Sequence, residues 1–290
     1  MRHGLAALFL LCLLLGARAP AEAAAPPAPP LPPGLAQKIA SGDPAQIKAA
    51  LDEARMAGKA ASRLVPAIVE ELQRGMPYSL AEAAIDTLGD IAAEPGDPAP
   101  GRKPEADQAS PAIAVYLHHR NVALRRAAAK ALARTRGPAA AKGLRAALSD
   151  EDAMVRGTAA TGLGALKAKD TVGDLFVALD HRVNEAAASI GQLCNPEECD
   201  ALVARMGRLP FDVITSGLDP ILFRPASEVS DDAKVKLVGR IRELGTGEAN
   251  KFLRDVQKRW PAGGSPRIKQ SIDQGVLATA AAPGTPTGGQ

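Results

Sequence analysis

Two stretches of the chain read almost alike when one is slid 31 residues along the other. Leu124-Arg125-Arg126-Ala127-Ala128-Ala129-Lys130-Ala131-Leu132-Ala133 aligns with Val155-Arg156-Gly157-Thr158-Ala159-Ala160-Thr161-Gly162-Leu163-Gly164, and both follow apolar-Arg-x-x-Ala-Ala-x-x-Leu-small. That spacing puts the apolar and small positions on one face of an α-helix. A looser copy starts 44 residues upstream at Leu80 and keeps Ala84, Ile85, Leu88 and Gly89. Another starts at Val183 and keeps Ala186, Ala187, Ile190 and Gly191, one residue shorter. Each copy follows a helical segment of its own, ending at Leu72, Leu117, Leu148 and Leu179, and the last two intervals are again 31 residues. The repeating unit is a pair of helices. Such a pair cannot bury its apolar face alone, so the units must stack into an all-α solenoid of antiparallel helix pairs with one continuous core.

Composition agrees. Of 290 residues, 46% are hydrophobic but only 3% aromatic, so the apolar content is mostly Ala and Leu. Close-packed helices use such residues, whereas a β-sandwich or barrel would draw on Val, Ile, Thr, Tyr and Phe. The Val-Arg-x-x-Ala-Ala-x-x-Leu-Gly pattern resembles HEAT repeats, particularly the short bacterial type related to phycobilisome-lyase repeats. It is clearest over Pro111 to Leu166 and extends over Leu64 to Leu193. The resemblance implies a scaffold or protein-binding module whose second helices line a concave face. It also implies an alternative, a lyase-like protein acting on a small molecule or protein-bound chromophore, because some relatives act on bilins.

The helical-repeat domain is expected over 35–279. Leu35 to Ala40, Pro44 to Met56 and Lys59 to Arg74 supply an N-terminal cap and first pair. Ala201 to Gly207, Phe211 to Phe223, Asp231 to Leu244, Glu248 to Arg259 and Pro266 to Leu277 form an irregular helical cap over 200–279. A polar insertion with four prolines, Glu94 to Ala109, accounts for the 44-residue interval. In the Val183 copy the repeated Arg becomes Asn184, and the connection from Leu179 is three residues shorter than that from Leu148 to Val155, so stacking is expected to lose regularity there. Ala280 to Gln290 is a small, Pro/Gly-rich tail expected to be disordered.

Ahead of the repeats, Arg2 and His3 precede an apolar run from Leu5 to Leu15, and Ala21-Glu22-Ala23 offers an A-x-A cleavage site. This predicts a signal peptide over 1–23, since an 11-residue run is too short to span a bilayer. The mature chain, with no transmembrane segment, is expected to be periplasmic or secreted. It opens with a Pro-rich linker, 24–34. Cleavage removes Cys12 and leaves Cys194 and Cys199, and an even count in an exported protein predicts a disulfide. The C-x4-C spacing is neither the C-x-x-C of a redox motif nor a closed zinc site.

No catalytic constellation and no cofactor motif can be assembled, and no metal is expected. His119, Asp150 and His181 fall on equivalent turns, but Asn121, Asp152 and Asp180 beside them sit where short polar side chains cap the next helix. His119 is expected to face Asp150, and Arg120 to face Glu151. The remaining signal is charge. From Gln108 to Ser149 there is no Asp or Glu, while eight Arg and Lys residues are present, a local excess hidden by the whole-chain +3. Arg126, Lys130 and Arg134 recur at i, i+4 spacing, so with Arg125 they define a candidate binding stripe on a second helix. Its expected partner is another protein or an anionic cell-envelope component. Nucleic acid is not expected, because the block lacks interleaved aromatics and follows an export signal.

Overall fold

The computed structural model describes residues 31–93, 106–135 and 138–280. The signal peptide, most of the Pro-rich linker, the greater part of the insertion and the C-terminal tail lie outside the described residues. Among the described residues there are fifteen α-helices, three short 3-10 segments and no strand. No helix among them is long and apolar enough to cross a membrane.

The helices pair as the repeats require. First helices α3 (Val65–Arg74), α5 (Ala106–Val115), α7 (Pro138–Ala147) and α9 (Val172–Asp180) alternate with second helices α4 (Tyr78–Ala93), α6 (Val122–Leu132), α8 (Ala153–Ala165) and α10 (Ala186–Leu193). Before them come α1 (Leu35–Ile39) and α2 (Pro44–Ala57). Asp43 starts α2 by accepting from the Ala45 N–H at 2.9 Å, with Pro44 already fixed in φ at the first helical position. The segment expected to be helical from Lys59 to Arg74 divides into a 3-10 turn, Gly58–Leu64, and α3, because Gly58 leaves α2 at φ 54° and Pro66 opens α3.

Second helices stack on second helices, α2 on α4, α4 on α6, α6 on α8 and α8 on α10. The small residue that closes each repeat motif explains how. A Cβ on Gly89 of α4 would lie 2.8 Å from the Ala131 backbone of α6, and one on Gly164 of α8 would lie 2.5 Å from the Ser189 hydroxyl of α10. Ala133 meets Gly162 in the same way between α6 and α8. Each small position therefore sits against the next second helix, two residues before the equivalent position there. The apolar positions, Leu88, Leu132, Leu163 and Ile190 among them, are buried in one continuous core.

The stack changes its spacing at the Val183 copy but continues past Cys194. Helix α11 (Pro196–Val203) and helix α12 (Phe211–Phe223) form a further pair, with α12 packed on α10. Here the contact is closest of all: a Cβ on Gly191 would lie 1.9 Å from the Gly217 carbonyl oxygen. The shortened connection is accommodated locally, with Arg182 in the left-handed region at φ 65° and α10 starting only at Ala186. Cys194 and Cys199 are joined in a disulfide that ties the end of α10 to α11. Asn195 and Glu198 complete a capping box at the start of α11.

Beyond α12, helices α13 (Asp231–Glu243), α14 (Gly247–Arg259) and α15 (Pro266–Ala280) pack among themselves, and α14 packs on α12 while Lys234 and Lys236 of α13 reach Arg224 and Asp200. Phe211 stands edge-on to Phe252, with ring centroids 6.4 Å apart, and Phe223 packs on Trp260 at 5.6 Å. Arg259 lies over the Phe223 ring and pairs with Asp219. The aromatics that crowd the C-terminal third of the sequence thus fill the seam between α12 and α14.

Candidate binding groove

The cations of the basic block are mostly engaged by acids from neighbouring repeats. Arg125 grips Asp150 of the next turn with both Nε and Nη2, at 2.9 and 3.2 Å, and donates through Nη1 to the His119 carbonyl at 3.1 Å. Their side chains are 14% and 10% exposed, so this is an internal brace. Arg156, its equivalent one repeat on, donates to the carbonyls of Asp150 and Glu151. Arg126 makes a two-pronged pair with Asp152 at 2.9 and 2.6 Å. Helix α6 ends at Leu132, so Arg134 lies in the following turn, where it meets Asp86 at 3.4 Å and Asp90 at 3.1 Å. Asp90 also holds Arg55 of α2. Arg145 pairs with Asp174. The acids lie outside the 108–149 window, so a count along the chain misses a neutralisation that stacking creates.

Asp152 does two jobs. It caps α8 by accepting from the Val155 N–H at 3.1 Å, and with Arg126 beside it the carboxyl is held down at about 2. The folded value lies below the ordinary 3.8, so this contribution is intact above about pH 4 and is lost as pH falls through about 2. The urea midpoint should therefore fall across that acid window, and fall less in Asp152→Asn, which keeps a cap but has no carboxylate to titrate.

Asn121 caps α6 through the Ala123 N–H, but Asp180 does not cap α10. The late start of α10 leaves Asp180 as the last residue of α9, paired with Arg205 at 2.9 Å. His119 does not face Asp150, which Arg125 occupies. It packs against Tyr78 and Tyr116, and its Nδ1 accepts from the Asn121 N–H at 3.0 Å. Arg120 donates to the Tyr78 hydroxyl at 2.8 Å and leaves Glu151 aside. Among the described residues no group of three or more His, Cys, Asp or Glu side chains is placed to hold a metal ion.

One member of the predicted stripe, Lys130, is exposed and has no ion-pair partner among the described residues. It lines a groove of about 460 Å³ on the second-helix face, together with Ala133 and Arg134. Helix α8 supplies the floor with Met154, Gly157, Thr158, Thr161, Gly162 and Ala165, and Glu185 closes the far side. Helix α8 carries glycine at two lining positions, Gly157 beneath the Glu185 carboxylate and Gly162 packed against Ala133 and Leu144. Met154, one of the lining residues, is 61% exposed, an apolar side chain left uncovered. Sequence reasoning missed Met154, Thr158, Thr161 and Glu185, because none carries a motif. The signal that could have found them was a second helix with glycine at two positions flanked by an outward methionine.

Residues 141–217 match the family described as HEAT repeats. No curated protein sequence matches the chain. Among solved structures, the full-length AP-3 complex in an intermediate open conformation shares the fold, with a TM-score of 0.51 and 12% identity over 84% of this chain and 50% of that one. This chain thus spans half the length of that AP-3 chain. The complex of CpcE and CpcF of phycocyanin lyase from Nostoc sp. PCC7120 aligns with a TM-score of 0.43 and 18% identity, over 90% of this chain and 100% of that one. A designed armadillo repeat protein in complex with a (KR)4 peptide aligns with a TM-score of 0.37 and 14% identity, over 85% and 98%. The stacking of α7 to α12 and the matched stretch coincide, and the chain is a helical-repeat protein whose residues 141–217 match HEAT repeats.

Proposed function

We propose that the chain is an exported, non-enzymatic scaffold that holds a segment of another protein in the groove over α6, α8 and α10. The groove itself supports this most directly. It runs from α6 over α8 to Glu185 at the N-cap of α10, it is floored by small and hydroxyl side chains, and it leaves Met154 exposed for an apolar contact. Its ionisable lining residues are Lys130, Arg134 and Glu185, and Arg134 is committed to Asp86 and Asp90. That lining offers recognition chemistry and no nucleophile beside a base. Export rests on the leader sequence.

A photo-crosslinking residue placed at Thr158 in the host should yield a discrete adduct, while one placed at Val177, exposed on α9 of the first-helix row, should not. The adducted chain should begin at Ala24 by mass spectrometry. Equal labelling from both positions would remove the groove from the reading, and a chain that retains residues 1–23 would remove export.

A further inference from the structure

The charges that face the groove divide in a way that specifies its occupant. Arg126 and Arg134 are bound to Asp152, Asp86 and Asp90. Helix α8 contributes no charged side chain to the lining. That leaves Lys130 on α6 at one wall and Glu185, at the start of α10, on the other. Among the described residues neither has an ion-pair partner, and they do not pair with each other. Glu185 is not simply splayed into solvent. Its carboxylate lies over Gly157, where an added Cβ would come within 2.8 Å of it, so the missing side chain of α8 lets the acid reach back over the trough. Between the two charges lie Thr158, Thr161 and the exposed Met154.

We infer that the groove selects a peptide segment carrying both an acidic and a basic side chain, on either side of a small or apolar one. The acid meets Lys130, the base meets Glu185, and the middle residue rests beside Met154. A segment of one sign satisfies one wall and brings a like charge to the other, which is the usual way a surface rejects wrong partners. This inference rests on the groove reading above and adds the chemistry of the occupant.

A displayed library of random peptides, selected on the full mature chain, tests it, with Thr158→Arg blocking the groove to identify peptides bound there. The unaltered chain should enrich groove-dependent peptides that carry one acid and one base. Lys130→Glu should shift the selection to peptides with bases only, and Glu185→Lys to peptides with acids only. Both residues are exposed and unpaired but sit at helix ends, so each reversal should lower the unfolding midpoint only slightly and leave the chain folded. Neutralising either charge in a synthesised consensus peptide should weaken binding by about fivefold, the scale of one partly exposed ion pair. Groove-dependent peptides whose charge pattern ignores both substitutions would overturn the mixed-charge specificity and leave the groove standing. Failure to enrich any peptide that Thr158→Arg releases would overturn the groove reading and this inference with it.

Discussion

Gly191→Ala is expected to lower the thermal unfolding midpoint by about 4–8 °C, the equivalent of about 2 kcal/mol in a chain of this size. Two opposed terms give that figure. Alanine is better than glycine inside a helix by about 1 kcal/mol. The new methyl, however, would lie 1.9 Å from the Gly217 carbonyl oxygen and 2.8 Å from its carbon, and backbone on a packed helix cannot swing aside as a long side chain can. Overpacking of that kind costs about 3 kcal/mol, so the steric term wins. Gly173→Ala is the matched control. A Cβ there meets nothing within 4 Å, so only the propensity gain remains and the midpoint should rise slightly. Because repeat arrays are held by nearest-neighbour interfaces, loosening α10 from α12 should also broaden or split the transition, as the helices before and after the joint unfold separately. An unmoved midpoint in Gly191→Ala would mean that α10 and α12 do not approach so closely.

The contact that makes this substitution damaging was half-visible in the sequence. Gly191 occupies the small position of the Val183 copy, so its packing role follows from the repeat. Gly217 lies outside the four copies of the motif read along the chain, so the motif alone does not connect the two. The same division runs through the molecule. Helix pairs, their order and their core positions follow from local periodicity, which residues three and four apart on one chain encode. The reach of the stack past Cys194 depends on α10 meeting α12, a contact between segments whose sequences have diverged. Charge shows the limit most clearly. Eight cations fall between Gln108 and Ser149 with no acid among them, and part of that block reads as a stripe, yet Arg125, Arg126, Arg134 and Arg145 each find an acid on an adjacent repeat. Asp86 and Asp90 precede that block and Asp150, Asp152 and Asp174 follow it, so linear order separates what stacking brings together. Lys130 keeps its predicted exposure because the equivalent position on α8 is Thr161, which offers no carboxylate.

Removing the disulfide is the second large perturbation, and its size follows from a different term. Cys194 and Cys199 close a loop of six residues, for which chain-entropy reasoning gives about 2 kcal/mol. Both cysteines are buried, at 0% and 6% exposure, so their replacement by serine would add hydroxyls with few partners. Alanine at both positions is the cleaner variant. The double Ala variant, or the parent under strong reductant, should lose about 2 kcal/mol in urea unfolding. The joint also has a second fastening. Arg224, after α12, donates through Nη1 to the Cys194 carbonyl at 2.7 Å and pairs through Nε with Glu228. With the disulfide intact, Arg224→Met removes a bond from a segment that the cross-link already holds. With the disulfide gone, the same substitution frees the end of α10, so the combined loss should exceed the sum of the two single losses in a double-mutant cycle. Simple additivity would show that Arg224 and the disulfide hold α10 independently. A reduced chain as stable as the oxidised one would show that the Gly191–Gly217 contact and the Asn195 capping box suffice to fix the joint, and that the cross-link adds nothing to it.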